Sequence, residues 1–64
     1  MRINGETRET PAVESVAALL TWLDVRADRV AVELNKSIVR KRDWDKTSVP
    51  SGSEIEIVEF VGGG

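Results

Sequence analysis

The sequence has 64 residues, with 9 Lys and Arg against 11 Asp and Glu and a net charge of −2. That length sets one domain as the limit, and a single core of this size rarely supplies more than about 3–5 kcal/mol. There is no Cys and no His, which excludes disulfides and Cys/His zinc centres, and the acidic balance offers no surplus of charge for nucleic acid or anionic lipid.

Stability must therefore come from apolar packing, for which 41% hydrophobic residues suffice. No apolar run approaches the roughly 18 residues of a membrane span. The opening MRINGET lacks the apolar core of a secretory signal. A cytoplasmic chain is the expectation.

Asn4-Gly5 is a strong hairpin signal, because a type I′ turn needs positive φ at both central residues. It predicts a strand at Arg2–Ile3 and a return strand over 6–10, which Pro11 ends because it cannot donate to a ladder. A helix follows. Val16, Leu19, Leu20 and Leu23 recur at i, i+3, i+4 and i+7, one face of a helix, and Ser15 is placed to cap it. Trp22 lies at the flank of that stripe and is expected to pack.

Val30, Val32 and Leu34 alternate with Ala31 and Glu33 at the period of a half-buried strand. Asn35-Lys36 reads as a turn and Ile38-Val39 as a short return strand. RKRDWDK is charged and aperiodic. It predicts a loop with one helical turn over 43–46, pinned by Trp44, since a Trp in an irregular segment commonly packs on the core. VPSGS is a turn, and EIEIVEFV is the last strand. This order of elements predicts an α+β fold, with one helix on one face of a mixed sheet of four or five strands.

At this point the chain resembles the ThiS-type sulfur carriers of thiamin biosynthesis. The matching stretches are INGE, SVAALL, VAVELN with IV after it, Trp44, SGSEIEIVEFV and the closing GGG. Arg40, where a proline is often found, and Ala18, where an acidic residue is common, depart from the pattern. The resemblance implies a ubiquitin-like β-grasp domain over 1–60 and a flexible tail over 61–64 (Val61, Gly62, Gly63 and Gly64). It implies that a ThiF-type adenylyltransferase uses ATP to adenylate Gly64, and that a sulfur donor such as a cysteine desulfurase then leaves a thiocarboxylate. A thiazole synthase of the ThiG type would receive that sulfur.

The residues themselves agree with a carrier. Glycine has no Cβ, so such a tail can pass a narrow channel. An α-carboxylate is ionised at neutral pH and can attack the α-phosphorus of ATP. Without His or Cys the commonest general base and a persulfide site are missing, and the glycines lead into no helix that could hold a phosphate. The chain is expected to be no enzyme, to bind no metal or cofactor of its own, and to be a monomer when free.

In the last strand Ile55 and Ile57 fall on one face and Val58 and Phe60 on the other. The helix covers one face only, so Val58, Phe60 and Val61 are expected to dock partners. The alternative is a bulge that swaps the faces, or a loop that covers Phe60. The basic cluster Lys36, Arg40, Lys41, Arg42 and Lys46 reads as a solvated loop rather than a site for an acidic patch. Two further functions stay open: sulfur delivery to molybdopterin or cysteine synthesis, and ubiquitin-like conjugation through Gly64.

Overall fold

The computed structural model describes residues 1–60. The expected tail, with Val61, Gly62, Gly63 and Gly64, lies outside the described residues. The elements are β1 (Arg2–Ile3), β2 (Glu6–Thr7), α1 (Val16–Trp22), β3 (Val30–Leu34), β4 (Ser37–Val39) and β5 (Glu54–Glu59). The strands form one sheet in the order β2-β1-β5-β3-β4. β1 and β5 run parallel, and the other neighbours are antiparallel. With α1 packed on one face, this is the expected β-grasp, in its five-stranded form.

Both hairpins are built on asparagine. Asn4 and Gly5 adopt φ of 52° and 82°, Asn35 and Lys36 φ of 50° and 72°, the conformation that matches a two-residue loop to strand twist. Each Asn also acts at a distance. The Asn4 carboxamide oxygen accepts from the Ile57 N–H at 2.7 Å, and that of Asn35 accepts from the Glu54 N–H at 2.9 Å. At both points the strand beside β5 has turned away, and a side chain replaces the missing carbonyl.

β2 is shorter than its sequence predicts. It ends at Thr7 rather than continuing to Thr10. Its partner β1 begins at Arg2, and the Arg8 N–H donates to the Met1 carbonyl at 2.9 Å. Beyond that bond the chain has no strand to pair with.

All four N–H groups at the start of α1 are paired. The Ala18 N–H donates to the Ser15 hydroxyl at 3.1 Å and the Leu19 N–H to the Ser15 carbonyl at 3.0 Å. Val16 donates to the Thr47 carbonyl and Ala17 to that of Trp44, at 2.9 and 3.1 Å. The helix end is a Schellman motif. Asp24 takes the left-handed conformation at φ 60°, its N–H donates to the Thr21 carbonyl, and the Val25 N–H reaches Leu20.

The core lies between α1 and the sheet. Val16, Leu19 and Leu20 meet Ile3, Val32 and Ile55, all buried. Leu23, just past the helix, is packed against this cluster, as the helical stripe predicts. Val49 is buried in the same cluster.

The segment after β4 is fixed by Trp44, only 5% exposed. Its indole N–H donates to the Val39 carbonyl at 2.9 Å. The helical turn of this segment is a 3₁₀ turn at Lys41–Asp43, two residues earlier than the expected 43–46. The Trp44 side chain must enter the core as the turn closes, and that requirement sets its position.

Trp44→Ala removes both the packing and the bond. It is expected to cost about 3–5 kcal/mol, comparable with the whole stability of so small a domain, and to leave the chain unfolded in a urea titration at 25 °C. Trp44→Phe keeps an aromatic ring but deletes the donor. It should unfold cooperatively at a lower midpoint, weaker by about 1–3 kcal/mol.

Candidate functional site

β5 is the central strand, and its alternation decides what faces outward. It pairs with β3 in an unbroken register from Leu34↔Ile55 to Val30↔Glu59, so there is no bulge to swap the faces. Ile55 is buried and Ile57 half-buried on the helix side. Val58 and Phe60 point the other way and are 57% and 60% exposed. No loop among the described residues covers them.

The exposed pair belongs to a longer stripe. Ala31 lies directly opposite Val58. One strand further, Ile38 lies opposite Glu33 and therefore diagonal to Ala31. Ile38 is 75% exposed. Ile38, Ala31, Val58 and Phe60 thus form an apolar track across β4, β3 and β5 on the helix-free face. Contiguous apolar surface of this kind marks an interaction site more often than isolated exposed side chains do.

Sequence reasoning missed Ile38 and Ala31. Ile38 was legible in principle: a two-residue loop at Asn35-Lys36 pairs it with Glu33, on the polar side of β3. Acidic groups border the track. Glu33 and Glu56 are direct cross-strand neighbours, an arrangement of like charges that costs stability. Glu54 stands 3.9 Å from Arg2 in an exposed ion pair, of a kind that contributes little.

The strand is anchored up to the end of the described chain. The Phe60 N–H donates to the Arg29 carbonyl at 2.7 Å, so the ladder continues one residue past β5. Whatever follows Phe60 starts from a fixed point beside the apolar track.

The other sequence candidates fall elsewhere. The basic residues Lys36, Arg40, Lys41, Arg42 and Lys46 are all exposed, as a solvated loop requires. Three of them, Arg40, Arg42 and Lys46, line a shallow groove beside Ile38. Trp22 is not pinned in the core as expected: it is 43% exposed, with the Arg8 guanidinium 5.6 Å above its ring. Such a cation–π contact covers the flank of the helix.

The larger surface groove, about 640 Å³, is lined by Met1, Arg8, Val13, Val49 and Ser51. It lies at the start of β5, at the far end from Phe60. Among the described residues no group of acidic side chains could hold a metal ion, and no helix is long and apolar enough to cross a membrane. Of the four large exposed hydrophobic residues among the described ones, Ile38, Val58 and Phe60 share the helix-free face of the sheet, and Trp22 stands apart on the helix.

A five-stranded mixed sheet with its last strand central and one helix on one face is a ubiquitin-like β-grasp. Comparison with known proteins narrows this class. The chain belongs to the ThiS family, whose model matches residues 1–64. It is 30% identical to the sulfur carrier protein ThiS of Escherichia coli over 95% of this chain and 92% of that protein. The crystal structure of a thiamine biosynthesis protein (ThiS) from Geobacter metallireducens superposes with a TM-score of 0.79 at 35% identity, over 98% of this chain and 96% of that one. A thiazole synthase of Paramagnetospirillum magneticum is 47% identical over 97% of this chain. The chain spans only about a fifth of that protein, 19% of its length, and 20% of a second thiazole synthase, from Magnetococcus marinus.

The face assignment makes a prediction about stability. Phe60→Ala should lower the unfolding free energy from a urea titration by less than about 1 kcal/mol, as for surface positions generally. Ile55→Ala, at the buried position on the same strand, should cost about 2–5 kcal/mol. A Phe60→Ala variant as unstable as Ile55→Ala would place Phe60 in the core.

Proposed function

We propose that this chain is a sulfur carrier for thiazole formation in thiamin biosynthesis, and that Gly64 is the residue it loads. The observation that carries the reading is the family match across the whole chain. The apolar track ending at Phe60 supports it, since an enzyme that works on a tail must also grip the body from which the tail starts.

The chemistry runs through the terminal carboxylate. An oxygen of the Gly64 carboxylate attacks the α-phosphorus of ATP held by a ThiF-type adenylyltransferase, and pyrophosphate leaves. The terminal sulfur of a donor persulfide, such as that on a cysteine desulfurase, then displaces AMP from the acyl carbon to give an acyl disulfide. A second thiol attacks the donor-side sulfur, releasing the thiocarboxylate and leaving a disulfide with the donor. Gly62 and Gly63 give the approach its narrow profile, because a Cβ would widen it. Val58, Phe60 and Val61 meet the partner's apolar surface, and the border of Glu33 and Glu56 favours basic residues around it. ATP belongs to the partner, and this chain contributes no catalytic side chain.

A thiazole synthase of the ThiG type is the proposed recipient. Its support is that two thiazole synthases each contain a stretch similar to this chain over nearly its whole length. The absence of Cys and His from the sequence leaves the terminal carboxyl as the place for sulfur, since a persulfide needs a thiol.

Intact-protein mass spectrometry tests the reading. Incubation with a ThiF-type adenylyltransferase and ATP is expected to add an adenylyl group at Gly64. Addition of the sulfur donor should convert this to a species heavier than the starting chain by the difference between sulfur and oxygen. Deleting Gly63 and Gly64 should abolish both products and leave the unfolding midpoint unchanged. Persistent adenylation of the deleted chain would overturn the assignment, and adducts on lysines of other proteins would point to a modifier instead.

A further inference from the structure

The two sides of β5 are not covered over the same length. Toward β3 the ladder is complete. The Phe60 N–H donates to Arg29 and the Asn35 N–H donates to the Glu54 carbonyl, so the even-numbered residues of β5 direct their main-chain groups to β3. The odd-numbered residues therefore face β1. The Asn4 N–H takes the Ile55 carbonyl at 2.8 Å, and the Asn4 side chain takes the Ile57 N–H at 2.7 Å.

There β1 stops. Gly5, at φ 82°, turns the chain back into β2 on the far side. The next groups along this edge are the Ile57 carbonyl, the Glu59 N–H and the Glu59 carbonyl. They face the line that β1 has left, and no strand among the described residues occupies it. The alternation of acceptor, donor and acceptor is what an extended main chain complements.

We propose that this edge is a main-chain docking site, on which the adenylating partner lays an extended segment as an added strand, end to end with β1. The proposal rests on the carrier reading above. Its occupant follows from two features. First, Gly62, Gly63 and Gly64 have no side chains to be read, so recognition of that segment must use main-chain groups. A strand paired at Glu59 sets the register for such recognition. Second, the added strand lies next to β5, so its residues on the helix-free face meet Val58 and Phe60. The partner segment is therefore extended and apolar on that face. Exposed strand edges are usually shielded, because they recruit other chains; here the open length is restricted to the last turn of the pleat before the tail.

Amide hydrogen exchange by NMR distinguishes the two sides. In the free carrier the Val58 and Phe60 amides should exchange slowly and the Glu59 amide near the rate of an unstructured peptide. In the complex with the ThiF-type adenylyltransferase, Glu59 should slow by on the order of a hundredfold or more, as a newly formed ladder bond requires. A semisynthetic carrier with an ester oxygen in place of the Glu59 N–H should raise the KM for adenylation about tenfold, as loss of one main-chain bond implies, with an unchanged urea midpoint. The same change at Phe60 should lower the midpoint, because that N–H belongs to the ladder with β3.

If Gly64 is adenylated while Glu59 in the complex exchanges as in the free chain, the edge proposal is overturned and the carrier reading stands. If the carrier alone gains protection at Glu59 as its concentration rises, a second copy occupies the edge, which also overturns it. If no adenylation occurs, the carrier reading fails and takes the edge proposal with it.

Discussion

The rest of the structure depends on the position of Trp44. Its indole N–H reaches back to the Val39 carbonyl of β4, and its own carbonyl accepts from Ala17 in the first turn of α1. One residue thus joins the edge strand, the irregular segment after it and the helix. None of the three is secure alone. A helix of seven residues is far below the length at which an isolated helix persists in water. The irregular segment has no ladder of its own. β4 has three residues and one neighbour. Held together by Trp44, they close the helix side of the sheet and bury Val16 and Leu19 completely.

A second division of labour runs along β5. Its helix side carries the core through Ile55 and Ile57, and its other side carries Val58 and Phe60. The two asparagines of the hairpin turns supply this strand with hydrogen-bond acceptors where its neighbours leave it. A turn residue that must adopt positive φ is commonly Asn or Gly. Here Asn supplies the conformation and also an acceptor for β5, which Gly could not. The packing of the body and the display of the apolar track are therefore properties of one strand, separated by the two-residue period of its side chains.

Much of this was legible in the sequence. The helical stripe with Ser15 before it located the start of α1, the two Asn-led turns located both hairpins, and alternation in EIEIVEFV separated core from surface. What stayed hidden depends on distant partners or on unusual local choices. The helix ends on Asp24 in a conformation more often taken by Gly, so no terminator was visible. β2 stops early because β1 offers nothing further to pair with. The 3₁₀ turn at Lys41–Asp43 sits where the burial of Trp44 requires it. Asn4 bonds Ile57 across 53 positions and Asn35 bonds Glu54 across 19, separations no local pattern reveals. At the site, Val58 and Phe60 were foreseen from parity. The extension to Ala31 and Ile38 needed the register between three strands.

The parallel pairing of β1 with β5 has a mechanical consequence. Met1 and Phe60 lie at opposite ends of adjacent strands, and β5 also has β3 on its other side. A pull along the chain beyond Phe60 therefore loads both ladders lengthwise. Their bonds lie across the direction of force and must give way together, whereas a hairpin pulled open from its end parts one bond at a time. A force applied at the end of β5 therefore falls on the strongest direction of the sheet, and the body can remain folded under it.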